Sequence, residues 1–127
     1  MAKVRVLIVD DFPGWRRYVR TKLQACPEFL VVGEAEDGMD ALRKSQELHP
    51  DLVLLDVGLP KLNGIEAARR LCRILPKIRI LFVSAEESPS TIRRALVSGP
   101  CARGYVLKSS AGCDLLPAMQ ATMERRE

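Results

Sequence analysis

Five short apolar runs alternate with five segments of helical periodicity along this chain of 127 residues. Few folds accept that pattern. Val4-Arg5-Val6-Leu7-Ile8-Val9 reads as a buried strand that stops at Asp10-Asp11. Pro13 then suits the first turn of a helix, where its missing N–H costs nothing. Trp15, Tyr18, Val19 and Leu23 share one broad face of that helix, with Arg16, Arg17 and Arg20 largely opposite. Cys26-Pro27 ends it. Phe29 to Gly33 is a second strand ending near Glu34, and Gly38 precedes a helix carrying Ala41, Leu42 and Leu48 that His49-Pro50 closes.

Leu52-Val53-Leu54-Leu55 is almost wholly apolar, the mark of a central strand covered on both faces. It ends at Asp56. Past the 60–64 loop, Ile65, Ala68, Leu71, Cys72 and Leu75 form a third stripe. Ile78 to Val83 is the fourth strand and ends at Ser84. Ser88 or Ser90 is placed to cap a helix with Ile92, Ala95 and Leu96. Gly104 to Leu107 is a short fifth strand ending at Lys108, and Leu115, Leu116, Met119 and Met123 line a last helix. Such alternation predicts βα units, right-handed crossovers and one α/β domain, residues 1–127, with a five-stranded parallel sheet and helices on both faces.

Composition narrows the function. A hydrophobic fraction of 47% excludes a disordered chain. The net charge of +4, from 20 basic and 16 acidic residues, is spread too thinly to indicate nucleic-acid binding. The Arg16, Arg17 and Arg20 patch reads as a solvated helix face. Cys26, Cys72, Cys101 and Cys113 have no metal-ligand spacing and read as small buried hydrophobes. No membrane-length apolar run or signal peptide is visible, so the cytoplasm is the expected compartment. Neither GxGxxG nor GxxxxGK[ST] occurs, and a single histidine without a nucleophile elbow offers no hydrolytic triad.

In open parallel sheets, ligands gather beyond the carboxyl ends of the strands. Here those ends carry Asp10 and Asp11, Asp56, Ser84 and Lys108. Clustered carboxylates repel one another unless a cation neutralises them, and oxygen ligands favour Mg²⁺ over zinc. Lys108 and Ser84 add a compact positive charge and a hydroxyl donor. The set suits phosphoryl transfer onto a carboxylate, with one Asp as nucleophile. A haloacid-dehalogenase-type phosphatase would want a DxDx[TV] loop, which Asp10-Asp11-Phe12-Pro13 does not supply.

Val9-Asp10-Asp11, Leu54-Leu55-Asp56, Leu59-Pro60 through Gly64, Val83-Ser84-Ala85 and Gly104-Tyr105-Val106-Leu107-Lys108 together resemble a receiver domain of a two-component response regulator, over nearly the whole chain. The Gly-Tyr-Val-Leu-Lys-Ser wording is most similar to receivers preceding a LuxR-type helix-turn-helix output domain. The resemblance implies a flavodoxin-like (βα)5 fold with strand order 2-1-3-4-5. It implies Asp56 as phosphoacceptor, Asp11 as direct Mg²⁺ ligand with Asp10 acting mostly through water, and the Gly58 carbonyl as a further ligand. Ser84 matches the switch hydroxyl, Lys108 the family's active-site lysine, and Tyr105 the aromatic that changes exposure on activation.

The implied role is a switch rather than an enzyme, fed by a sensor histidine kinase and acting on a C-terminal output domain or through a homodimer. Neither membrane contact nor specific DNA binding by this domain alone is expected. A degenerate receiver, used only for protein contacts, is the alternative. It draws on one departure from the family pattern: Pro100-Cys101 lengthens the connection before strand five and threatens the register of Tyr105 and Lys108. The added residues are expected to bulge outward as a surface loop. Ser109 replaces the proline that often follows the lysine, and Gly58 leaves Glu86 as the main side chain for tuning dephosphorylation.

Overall fold

The computed structural model describes residues 3–124. Strands β1 (Val4–Val9), β2 (Phe29–Ala35), β3 (Leu52–Leu55), β4 (Arg79–Ser84) and β5 (Ala102–Leu107) alternate with helices α1 (Pro13–Gln24), α2 (Gly38–Leu48), α3 (Gly64–Ile74), α4 (Pro89–Leu96) and α5 (Ala111–Met123). A 3₁₀ turn, Lys108–Ser110, joins β5 to α5. All neighbouring strands pair in parallel, in the order β2-β1-β3-β4-β5. The predicted fold class and strand order are those observed.

Successive strand side chains point to opposite faces, and this divides the interior in two. Leu7, Val9, Val53, Leu55, Ile80 and Phe82 meet α2, α3 and α4 on one face. Val6, Ile8, Leu52, Leu54, Leu81 and Val83 meet α1 and α5 on the other. Leu7, Leu55, Phe82 and Leu115 are fully buried. Truncating any one to Ala would cost about 2–5 kcal/mol. Among the described residues, no helix is long and apolar enough to cross a membrane.

Local chemistry sets the helix starts. Asp37 caps α2 by accepting from Asp40 N at 2.7 Å, and Asn63 caps α3 by accepting from Glu66 N at 3.0 Å. Pro13 and Pro89 occupy first turns. Ser88 takes the N-cap position of α4, but its hydroxyl meets Ser90 Oγ at 3.0 Å and makes no cap bond. Gly64 is required for packing: a Cβ there would lie 1.9 Å from the Asp56 carbonyl oxygen. That absence of side chain lets α3 begin directly against the end of β3.

Two expectations need correction. The residues before β5 do not all bulge outward. Pro100 is exposed, but Cys101 is only 3% exposed and forms a disulfide with Cys72. Its apolar surroundings on α3 and α4 draw it in. Register survives because β5 carries a bulge: Ala102 pairs with Ile80 and Gly104 with Leu81, leaving Arg103 unmatched. Tyr105 thereby faces Phe82, and Leu107 faces Ser84. Nor are the four cysteines simply buried hydrophobes, since Cys26 is partly exposed and Cys113 exposed.

Candidate functional site

Asp10 and Asp11 follow β1, Asp56 follows β3, Ser84 ends β4 and Lys108 follows β5. The order β1-β3-β4-β5 makes these strand ends neighbours. Asp10 N donates to Ala35 O at 3.0 Å and Asp56 N to Val9 O at 3.1 Å, so the sheet ladder extends into the site. One carboxylate oxygen from each of Asp10, Asp11 and Asp56 lies within 4.8 Å of the others. Asp10 is 1% exposed, Asp56 is buried and Asp11 faces solvent.

Asp10 Oδ1 accepts from Phe12 N at 2.9 Å. Lys108 Nζ lies 2.6 Å from Asp10 Oδ2 and 3.6 Å from Asp56 Oδ2. The closer contact is an ion pair without hydrogen-bond alignment, because Asp10 Oδ2 has no properly directed donor among the described residues. Burial pushes the Asp10 carboxyl above its ordinary range, Lys108 and Phe12 N oppose that, and the Asp56 charge adds to it. Three clustered carboxylates beside one ammonium keep an excess of negative charge, and oxygen donors so arranged fit a hard divalent cation.

Ser84 is buried, and its Oγ accepts from Glu86 N at 3.2 Å. Tyr105 donates its hydroxyl to Glu86 O at 2.6 Å and stacks on Phe82 with ring centroids 6.1 Å apart. Burial pushes the Tyr105 phenol up, the Ser84 contact opposes this, and the Glu86 and Asp56 charges reinforce it. Gly58 is exposed with open space where a side chain would stand, and Glu86 is exposed. The lengthened loop leaves Lys108 at the carboxylates, which removes the ground for a degenerate receiver. Among the described residues there is no cis peptide bond, so Lys108-Ser109 is trans.

Sequence reasoning missed two supports of this site. Trp15, assigned only to the apolar face of α1, lies with its ring 5.1 Å from Lys108 Nζ, a cation–π distance. The basic face of α1 is not simply solvated. Arg16 Nε donates to Glu34 at 2.9 Å and its Nη1 to Asp10 O at 2.6 Å, while Arg20 Nε donates to Glu34 at 2.7 Å. Burial would raise the Glu34 carboxyl, but Arg20 and Arg16 outweigh it and hold the group below its usual range. The spacing of Arg16 and Arg20, one helical turn, signals a shared partner, but the sequence does not say which.

An acidic triad with an overhanging lysine, at the carboxyl edge of a 2-1-3-4-5 parallel sheet, defines a class of signalling domain. The response regulator receiver domain family matches residues 6–120, and the chain belongs to it. It is 34% identical to the transcriptional regulatory protein DegU of Brevibacillus brevis over 122 residues, covering 96% of this chain and 51% of that protein. It is 36% identical to the response regulator GacA of Pseudomonas viridiflava, covering 92% of this chain and 54% of that one. The chain thus spans about half the length of these curated relatives. The signal receiver domain of NarL from Mycobacterium tuberculosis superposes with a TM-score of 0.89 at 33% identity, covering 98% of this chain and 100% of that one. A LuxR-family response regulator from an Aurantimonas species gives 0.88 at 35% identity, covering 94% and 84%.

Proposed function

We propose that this receiver accepts a phosphoryl group on Asp56 from the phosphohistidine of a sensor kinase, and that the modification switches an output domain governing transcription. The observation that carries the reading is the gathering of Asp10, Asp11 and Asp56 within 4.8 Å beneath Lys108. A carboxylate oxygen of Asp56 attacks phosphorus, the P–N bond to the donor imidazole breaks, and the electron pair leaves with that ring. Asp11, Asp56 and the Gly58 carbonyl are the groups that would hold Mg²⁺, with Asp10 in support. The ion supplies charge neutralisation for the phosphoryl oxygens.

Lys108 supplies a second positive charge, its Nζ 3.6 Å from Asp56 Oδ2. Once Asp56 carries the phosphoryl group, Lys108 gains a stronger anion than Asp10, and Ser84 gains an acceptor for its O–H, which draws on the same oxygen that now accepts from Glu86 N. Tyr105 hangs on the same Glu86 backbone, so motion there passes to the surface formed by α4, β5 and α5. The domain acts as a stoichiometric switch rather than a turnover enzyme, and it selects no DNA sequence by itself. The transcriptional output is supported by the regulatory relatives, of whose length this chain matches about half.

Incubation with acetyl phosphate and Mg²⁺ should add one phosphoryl group by intact mass. Asp56→Asn should abolish it, and full modification of that variant would overturn the assignment.

A further inference from the structure

We propose that Cys72 and Cys101 are a reversible thiol–disulfide site, in which Cys72 is the attacking thiol, Cys101 the resolving one, and a glutathione-class disulfide the oxidant. The pairing joins α3 to the start of β5 across 29 residues of sequence, with Cα atoms 5.7 Å apart. That separation is ordinary for a disulfide, so closure needs no backbone displacement. The inference is independent of the chemistry at Asp56.

Burial assigns the two roles. Cys101 is 3% exposed, within the cluster that includes Leu71, Phe82 and Ala95, whereas Cys72 is partly exposed on α3. Only Cys72 is open to an incoming disulfide. Gly99 packs against it, and a Cβ there would already reach van der Waals contact at 3.6 Å from the Cys72 sulfur, so a branched side chain at 99 would cover the thiol. The surface of α3 carries Arg69, Arg70 and Arg73, all exposed, against the single acidic Glu66, and this excess of positive charge favours an anionic oxidant. Reduction is equally well provided for. Cys101 Sγ lies 3.6 Å from the Pro76 carbonyl oxygen, so a free Cys101 thiol has a waiting acceptor.

The exchange balances without other reagents. The Cys72 thiolate attacks one sulfur of the oxidant and expels one small thiol, leaving a mixed disulfide. Cys101 then attacks the Cys72 sulfur and expels the second small thiol. The protein gives up two electrons and two protons, and the oxidant becomes two thiols.

The crosslink has a structural consequence. Between Leu96, the end of α4, and Cys101 lie four residues, and Ile80 N donates to Cys101 O at 2.8 Å. Oxidation therefore fastens the α4–β5 connection to α3, at the opposite end of β5 from Lys108. The closed form should be more heat-stable by about 10 °C, because the unfolded chain loses freedom. Amides of residues 95–103 should exchange more slowly in it.

The test uses the full chain with Cys26→Ser and Cys113→Ser, which removes the two other thiols. Oxidised glutathione should close the reduced pair with loss of two hydrogens, and millimolar reduced glutathione should reopen it. With Cys101→Ser added, a glutathione adduct should persist on Cys72. With Cys72→Ser added, Cys101 should react at least about 10-fold more slowly, as buried thiols do. Gly99→Val should slow closure in the intact pair, a check that does not depend on either cysteine variant folding. Equal adduct rates at both cysteines, a folded pair that glutathione neither closes nor reopens, or identical exchange of residues 95–103 in both forms would overturn the proposal.

Discussion

Lys108 Nζ stands 2.6 Å from Asp10 Oδ2, and Asp10 is 1% exposed, so the lysine is the chief compensation for a buried carboxylate. Removing one partner of such a pair strands the other. Lys108→Met should destabilise the metal-free protein by about 2–3 kcal/mol at neutral pH, below the fully buried range because the lysine keeps some solvent contact. The deficit has a definite pH dependence. The folded-state pKa of Asp10 is raised, so the stability this group contributes is fullest below its unfolded-state pKa and is lost as pH rises through the folded value. The variant should therefore approach the parent as pH falls. Urea titrations at neutral and acid pH, without metal, would measure this.

Asp11→Ala should separate metal binding from folding. Asp11 is exposed and adds repulsion to the carboxylate cluster, so its loss costs the metal-free fold nothing. The variant should melt no lower than the parent without metal and should gain less from added Mg²⁺. Equal gains in both proteins would put the ion elsewhere.

Glu34→Gln should lower stability by about 1 kcal/mol at neutral pH, since the lost pairs with Arg16 and Arg20 are partly solvated. The Glu34 pKa is depressed, so its contribution is present above the unfolded-state pKa and disappears as pH falls through the folded value. Parent and variant melting curves should converge in acid.

How much of this was legible from sequence follows from how local each feature is. The bounds of β3 match because four successive apolar residues end at a charged one. Asp10, Asp56, Ser84 and Lys108 could be grouped from sequence because each stands at the carboxyl end of a strand, and a parallel sheet puts those ends side by side. Trp15 over Lys108, Arg16 against the Asp10 carbonyl and Cys72 against Cys101 escaped notice for the opposite reason. Each depends on how a helix is rotated against a distant strand, and residue types at separate positions carry no record of that. The start of β5 was missed for a similar reason: Ala102 enters the strand only through the bulge opposite Ile80 and Leu81.

Trp15, the single tryptophan of the chain, should report on the site directly. Lys108 sits over its ring, so any ligand that draws the ammonium away changes the surroundings of the indole. Mg²⁺ titration should change its emission along a saturating curve, and Asp11→Ala should shift that curve to higher Mg²⁺. A flat response in the parent would show that the lysine does not move.

The most direct test of the central claim is to locate the phosphoryl group residue by residue, by fragmentation mass spectrometry, after treatment with acetyl phosphate in Mg²⁺ or in chelator. The expected result is modification at Asp56 with Mg²⁺, little or none with chelator, and none at Asp10 or Asp11. Modification centred on another residue, or equally complete without the metal, would contradict the account.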